Sequence, residues 1–253
     1  MIKCFFRGYV APVILSIMSV VAVAETGNSQ NDSFSRAKRL LQQQIYTEQD
    51  NRRTVYCQAS FNADKNIRLP DGFTTDKHLK RASRVEWEHV VPAENFGRSF
   101  SAWREGDEQC VNSKGRSYKG RRCAEKVSMA YRYMQADMFN LQPAIGSVNA
   151  ARSNYNFAML ADQDSDFGRC DMRIDNRKVQ PPKIARGVIA RSYLYMEQSY
   201  SRYSMSASQR KLMQAWDVQY PVTSWECERA QRISDLQHNT NAVVSSRCDA
   251  LGL

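Results

Sequence analysis

The sequence has little histidine and no closely paired cysteines. It contains only three histidines in 253 residues, and no CxxC pair occurs anywhere in it. Zinc sites in proteins use closely spaced cysteine and histidine ligands, so this pattern argues against zinc binding. Internal repeats and low-complexity segments are also lacking. One large domain with its own hydrophobic core is therefore expected.

Long hydrophobic runs are equally scarce. The one such run, residues 9–23, follows Lys3 and Arg7 and leads into AVA, the small-x-small pattern cut by signal peptidase. It is short for a membrane span, and no cysteine follows the cut as a lipoprotein would require. We predict a signal peptide at residues 1–24, cleavage after Ala24 and a periplasmic or secreted product without a membrane segment. An uncleaved anchor is the alternative.

Cleavage would leave an even number of cysteines. Cys4 departs with the signal peptide, and the six that remain are Cys57, Cys110, Cys123, Cys170, Cys227 and Cys248. In an oxidising compartment such a set predicts up to three disulfides. Six cysteines allow fifteen pairings, so their number alone does not determine the connectivity.

The charge is strongly positive. The formal net charge is +10, and removing Lys3 and Arg7 with the signal peptide lowers it to +8. A basic exported protein suits a polyanionic partner such as nucleic acid or an anionic surface. Simple solubility explains the same excess, and charge alone does not separate the two interpretations.

Local patterns predict a helix-rich α+β domain. Ser33 is a candidate N-cap for a helix whose apolar residues fall on one face, and Ser206 and Thr223 begin capping boxes. Residues 54–61 are β-branched and aromatic, which favours a strand, and a second strand is expected to stop at Pro92. Further predictions are a turn at residues 70–72, a loop at 98–119 and helices at 124–138, 184–200, 206–220 and 224–237.

The segment WEHVVP contains a candidate acid–imidazole pair, Glu88 and His89. Hydrolysis of a phosphodiester needs a base that deprotonates water and a cation that stabilises the charge developing on the phosphate. A neutral histidine suits the first task, and carboxylate or amide oxygens bind Mg²⁺ for the second. A buried histidine with a purely structural hydrogen bond is the alternative interpretation of the pair.

A second polar cluster occupies residues 137–157, DMFNLQPAIGSVNAARSNYNF. Asparagine is a poor helix former, so several asparagines in a short span predict a capped, turning segment that presents polar groups. The alternative is that these side chains only bond loop backbone.

Five blocks together resemble the bacterial endonuclease I family: RASRVEWEHVVPAENFG, DMFNLQPAIGSVNAARSNYNF, GRCDMRIDNRKVQPP, ARGVIARSYLYM and LMQAWDVQYPVTSWECERAQRI. The similarity covers residues 33–248, in the right order. It implies a disulfide-stapled α+β domain, residues 25–253, around a ββα-metal (His-Me finger, HNH-like) nuclease core. It also implies Mg²⁺ dependence and cleavage of DNA, and often RNA, with little sequence selectivity, to 5′-phosphate products.

The resemblance assigns roles to three residues. His89 becomes the general base, and Glu88 with Asn140 becomes the protein ligand set of one Mg²⁺. Neighbouring residues of a regular strand point to opposite faces. We therefore expect a bulge or the end of the strand at Glu88 and His89, just before Pro92.

The sequence departs from the common family pattern beyond this motif. Phe100 and Ala102 stand where many relatives carry an arginine and a cysteine, so Arg98, or failing that Arg104, is expected to stabilise the transition-state phosphate. Phe139 occupies a position often held by histidine. The half-cystines that many relatives add in YCGC are missing, and the remaining set implies the pairs Cys110–Cys123, Cys227–Cys248 and Cys57–Cys170.

The resemblance implies that the excess positive charge binds the phosphates of DNA. Arg84, Arg121, Arg122 and Arg152 become candidate phosphate contacts, which are sequence-blind and salt-sensitive, although a solvated or structural role is the alternative for each. The expected partner is DNA, and RNA as well, bound by a monomer. Two other functions stay open: a DNA-binding or uptake protein that kept the fold but lost catalysis, and a binder of anionic envelope polymers.

Overall fold

The computed structural model describes residue 1, residues 26–161 and residues 163–253. The predicted signal peptide and its cut after Ala24 lie outside these residues, apart from Met1. Within the described ranges, no helix combines the length and the apolar character needed to cross a membrane. The architecture below is that of the chain from Thr26 onward.

Helices dominate, and the prediction of a helix-rich α+β fold is confirmed. A π-helical turn, Leu41–Ile45, continues α1, and 3₁₀ turns occur at Leu79–Arg81 and Met138–Asn140. The α-helices of the described ranges are α1 (Phe34–Leu40), α2 (Ala93–Gly97), α3 (Ser101–Arg104), α4 (Arg121–Val127), α5 (Met129–Ala136), α6 (Gly146–Arg152), α7 (Lys183–Ser199), α8 (Ala207–Gln219), α9 (Ser224–Gln237) and α10 (Ala242–Leu251).

The three predicted N-caps are confirmed. The side-chain oxygens of Ser33, Ser206 and Thr223 each accept a hydrogen bond of 3.2 Å from the backbone N–H three residues further on. These bonds satisfy N–H groups that have no partner inside the helix. Short-range polar contacts thus define where α1, α8 and α9 begin.

Seven short strands form three small sheets among the described residues. The longest pair is β3 (Val85–His89) with β4 (Leu141–Ile145), which run antiparallel, and α6 starts at the residue after β4. The others are β1 (Ser60–Phe61) with β2 (Ile67–Arg68), and β5 (Asn156–Phe157), β7 (Lys178–Gln180) and β6 (Arg173–Asp175), in the order β5-β7-β6.

The irregular backbone expected at Glu88 and His89 is only half found. There is no bulge, because regular pairing continues through Glu88 opposite Gln142 and His89 opposite Leu141. The strand does end at His89, as the other form of the prediction required. The two neighbouring side chains therefore leave opposite faces of β3 at its very end.

Three predicted elements differ in the structure, and one is the loop expected over residues 98–119, which contains α3. The strand expected over residues 54–61 is reduced to Ser60–Phe61, because the segment before it is a tight turn in which Gln58 has a φ of 53°. The single helix expected over 124–138 is broken at Ser128, whose extended backbone (φ −119°, ψ 111°) lets its Oγ cap α5. The predicted turn at residues 70–72 is present, closed by a hydrogen bond of 3.1 Å from Phe73 N–H to the Pro70 carbonyl.

All six cysteines of the described ranges are paired. The disulfides are Cys57–Cys170, Cys110–Cys123 and Cys227–Cys248, the same pairs that the family resemblance implied. The first links residues 113 positions apart. It ties the turn before β1 to the segment before β6, so it constrains the unfolded chain over a long loop.

Candidate active site

A cleft of about 370 Å³ lies at the end of β3, and we call it the central cleft. Glu88 and His89 both line the cleft. They do so although they point to opposite faces of β3, because the strand ends at His89. Asn149 of α6 and Arg121 at the start of α4 line it as well. Side chains from three separate parts of the chain thus meet around one space.

The ring of His89 is held in a defined tautomer. Its Nε2 lies 2.8 Å from the backbone carbonyl of Gln135. A carbonyl can only accept a hydrogen bond, so Nε2 carries the proton and Nδ1 is left with a free lone pair. The ring of Phe34 packs 4.8 Å away. Burial lowers the pKa of His89 to about 3, and the charge of Arg121 acts in the same direction, so the imidazole is neutral near pH 7.

Glu88 is a buried carboxylate with two strong donors on one oxygen. Its Oε1 accepts 2.8 Å from the hydroxyl of Tyr56 and 2.7 Å from Nη1 of Arg152. Burial raises the pKa of Glu88, while the charge of Arg152 and these hydrogen bonds favour the ionised form. Within the described ranges Oε2 receives no hydrogen bond, so one carboxylate oxygen remains available for a ligand.

Asn149 presents a second available oxygen. Its Nδ2 donates 2.9 Å to Oε2 of Glu86, and this carboxylate also pairs with Arg81. Because the amide nitrogen is engaged, the orientation of the side chain is set and Oδ1 is left without a donor in the described part of the chain. Asn149 is half-buried and lines the same cleft as Glu88 and His89.

Asn140, the expected partner of Glu88, is not in the central cleft. Its side chain is fully buried and bonds the backbone of Val91 twice: Oδ1 accepts from the N–H at 2.7 Å, and Nδ2 donates to the carbonyl at 3.0 Å. Both polar atoms of the side chain are therefore hydrogen-bonded to the backbone segment that follows β3. The structure therefore gives Asn140 the role of a clamp and places Asn149 where Asn140 was expected.

The central cleft is lined by Arg121, and Arg98 does not belong to its lining. Arg121 Nε donates 2.8 Å to the side chain of Gln135, the residue whose backbone carbonyl holds His89. Arg98 extends from the end of α2, is 67% exposed and pairs with Glu94 four residues earlier. It lines a neighbouring cleft, described below, and Arg104 is exposed and bonds the Arg98 carbonyl at 2.6 Å.

The remaining predicted phosphate contacts divide into two groups. Arg84 is exposed and lines a cleft next to the central one, while Arg122 is exposed and lies over the ring of Tyr118 at 5.0 Å, outside the lining of the central cleft. Arg152 is fully buried, so the prediction that it contacts nucleic acid is wrong. Its guanidinium bonds Glu88 and the carbonyls of His89 (2.8 Å) and Val90 (2.6 Å), and thereby holds the end of β3 in place.

The central cleft offers a limited set of metal ligands. No group of three or more histidine, cysteine, aspartate or glutamate side chains gathers as a metal site in the part of the chain that the structure describes. Glu88 Oε2 and Asn149 Oδ1 supply one charged and one neutral oxygen. A hard cation that keeps several waters needs no more than one or two protein oxygens, so this pair fits Mg²⁺.

Comparison with known proteins identifies the family. The family model for endonuclease I matches residues 23–248, which is most of the chain. The chain belongs to the endonuclease I family. Members of this family are nucleases, so the protein is a phosphodiester hydrolase.

Three relatives of this endonuclease I chain illustrate the similarity. An extracellular deoxyribonuclease of Aeromonas hydrophila is 42% identical over 250 residues, covering 96% of this chain and 99% of that protein. A periplasmic deoxyribonuclease of the same species is 42% identical over 202 residues, covering 77% and 79%. Endonuclease-1 of Buchnera aphidicola is 41% identical over 179 residues, covering 70% and 66%.

Sequence reasoning missed three contributors to the site of this endonuclease I chain. The sequence places Tyr56 on a predicted strand, Asn149 in a cluster of several asparagines, and Gln135 on a predicted helix. A usable signal existed for Asn149, since it lies in a turn-rich block of the family pattern. No local pattern distinguishes Tyr56 or Gln135, because their roles depend on which distant groups they touch.

Proposed function

We propose that this chain is an exported endonuclease that hydrolyses the phosphodiester backbone of DNA in the central cleft. The observation that carries the proposal is His89, a neutral imidazole whose Nε2 is bonded to a carbonyl and whose Nδ1 has no partner within the described ranges. Glu88, Asn149 and Arg121 line the same cleft. The Aeromonas relatives, named as deoxyribonucleases, support DNA as the substrate class.

His89 acts as the general base. Its Nδ1 takes a proton from a water molecule as the oxygen of that water attacks the phosphorus. The bond from phosphorus to the 3′-oxygen breaks, and the departing oxygen takes a proton from solvent. The products are a 5′-phosphate and a 3′-hydroxyl. The carbonyl of Gln135 keeps the ring in the tautomer that this step needs.

Glu88 and Asn149 would hold one Mg²⁺ ion, in place of the Glu88–Asn140 pair expected from the sequence. Each has one oxygen that receives no donor from the described part of the chain. Each is oriented through its other polar atom, by Tyr56 and Arg152 for Glu88 and by Glu86 for Asn149. Such fixed ligands lose little freedom on binding. When bound, the ion stabilises negative charge on the phosphate and the leaving oxygen. The pair β3–β4 followed directly by α6 supports a ββα-metal core around this site.

Arg121 stabilises the charge that develops on the phosphate. Its guanidinium is held by Gln135 and lies 5.2 Å from the ring of Phe34. A positive group that is already oriented towards a cleft needs no rearrangement during the reaction. Arg121 therefore takes the role that the sequence suggested for Arg98.

The surface around the central cleft suits a nucleic acid backbone. A neighbouring cleft of about 560 Å³ shares Trp87 and Asn149 with it and carries Lys38, Lys65 and Arg84. Such contacts address phosphates rather than bases or the 2′-hydroxyl. We therefore expect low sequence selectivity, cleavage of RNA as well as DNA, and a steep loss of binding with salt. The acting form would be a monomeric domain, residues 25–253, in the periplasm or the medium.

The test is cleavage of supercoiled plasmid with Mg²⁺, with EDTA and with two histidine variants. His89→Ala and EDTA should each abolish nicking. The control is His78→Asn, which removes an exposed histidine at a φ of 52° that asparagine tolerates, and it should nick normally. Nicking that survives EDTA and His89→Ala would overturn the mechanism. Binding without any cleavage by the unmodified chain would instead favour a DNA-binding protein.

A further inference from the structure

A second cleft, of about 440 Å³, adjoins the central cleft, and we call it the side cleft. The two share Glu94 and Asn154 in their linings. The two clefts are therefore contiguous, which leaves a path from His89 into the side cleft. The groups that distinguish the side cleft are Asn95, Arg98, Arg177, Tyr193, Tyr203 and Gln209.

Two arginines give the side cleft its charge. Arg98 and Arg177 come from different elements, and the single lining carboxylate, Glu94, already accepts from Arg98 and Asn154. Arg177 makes no ion pair in the described part of the chain, and its guanidinium lies 5.8 Å from the ring of Tyr155. An excess of positive charge therefore faces the cleft.

The backbone at Arg177 indicates that its side chain serves a purpose. Asn176 and Arg177 form the two-residue turn between β6 and β7, with φ angles of 44° and 60°. Glycine is the favoured residue at the second position of such a turn, because a side chain is disfavoured at positive φ. Arginine at this position therefore lowers the conformational stability of the turn, and binding of an anion by its side chain would offset that loss.

The wall and floor of the side cleft suit a nucleobase. Tyr193 is fully buried and Tyr203 nearly so, and both belong to the lining, so packed aromatic side chains form the floor of the side cleft. Gln209 Nε2 is a buried donor without a partner among the described residues. Aromatic surface, one unpaired donor and two arginines together match the base and the phosphate of a nucleotide.

We propose that the side cleft binds one unpaired nucleotide of the strand being cut, with its phosphate at Arg98 and Arg177 and its base against Tyr203 and Gln209. This inference rests on the proposed function, because it places the nucleotide next to the scissile phosphate. A base can enter the side cleft only after leaving its stack. The subsite therefore favours single-stranded or frayed DNA over intact duplex.

Two substitutions remove the contacts without harming the fold. Arg177→Gly places the preferred residue in the turn, and Gln209→Met removes a buried donor that has no partner among the described residues. Both variants should unfold at the temperature of the unmodified chain or above it. The matched control is Arg39→Ala, which removes the same charge from an exposed position of α1 that lines neither cleft.

The first experiment measures binding of thymidine 3′,5′-bisphosphate by calorimetry, with EDTA present so that no cleavage is involved. Losing one charge-assisted hydrogen bond should weaken binding about 10-fold in Arg177→Gly, and Gln209→Met should weaken it several-fold. Arg39→Ala should bind as the unmodified chain does. Unchanged affinity in both Arg177→Gly and Gln209→Met would overturn the proposal.

The second experiment separates this proposal from the proposed function. The KM for a short single-stranded DNA should rise in Arg177→Gly about as much as the bisphosphate affinity falls, and the rise for duplex should be smaller. A KM that changes equally for both substrates would overturn the single-strand preference. Failure of the proposed function would instead show as cleavage that survives His89→Ala, whatever the bisphosphate titration gives.

Discussion

Asn140 and Asn149 provide the sharpest test of the site, because replacing each by alanine should have opposite consequences. In Asn140→Ala, the buried N–H and carbonyl of Val91 lose their partners. Each unsatisfied buried group costs about 1–3 kcal/mol, so losing both partners should lower the free energy of unfolding by about 2–6 kcal/mol. That is a large part of the stability of an ordinary domain and should lower Tm by roughly 4–24 °C.

Asn149→Ala should leave the fold nearly intact. It removes one hydrogen bond, to Glu86, from a half-buried residue, so the expected loss is about 0.5–1.5 kcal/mol. Plasmid cleavage should nevertheless fall about 10²–10³-fold, the size found when one preorganised polar group is removed from an active site. The Mg²⁺ concentration at half-maximal activity should rise as well.

The assay combines thermal unfolding with plasmid cleavage over a range of Mg²⁺ concentrations, for both variants at a temperature where both are folded. If Asn149→Ala cleaves like the unmodified chain while folded Asn140→Ala is inactive, the ligand assignment is wrong. The expectation from the sequence would then be reinstated, with Asn140 as the partner of Glu88.

Three further predictions follow from the burial, the charges and the cross-links. In metal-free buffer the free energy of unfolding should fall by up to roughly 4–5 kcal/mol as the pH is lowered from 6.5 to 3. Over this range His89 becomes protonated in the unfolded chain, but it stays neutral in the folded protein, where its pKa is about 3. Urea titrations of His89→Gln should show a flatter pH profile; an equally steep one would assign the acid loss to other groups. Arg121→Ala should lower kcat about 10²–10³-fold, whereas Arg98→Ala should mainly raise KM. The reverse pattern in initial rates would show that Arg98, not Arg121, stabilises the transition state. Replacing Cys57 and Cys170 by serine should cost up to about 4–5 kcal/mol in guanidinium unfolding and reduce cleavage, since the adjacent tyrosine holds Glu88; unchanged stability would contradict this.

Patterns that depend on neighbouring residues were predictable. Ser33, Ser206 and Thr223 cap their helices as expected, since a cap needs only a side-chain oxygen and a backbone N–H three residues away. Propensity failed where tertiary contacts override it. The segment around Tyr56 has strand-forming residues, yet it turns, and the turn directs the tyrosine hydroxyl to Glu88.

The family blocks in the sequence were sufficient to single out His89 and Glu88 and to imply the three disulfide pairs. Asn140 and Arg98 are closer to the motif along the chain, but Asn149 and Arg121 are the residues that line the central cleft. Only the packing of α6 and α4 around the end of β3 decides which amide and which guanidinium face the cleft. Capping and motif identity depend on short-range bonds along the chain, whereas a cleft is defined by side chains that meet from distant segments, and this is why tertiary structure alone completes the site.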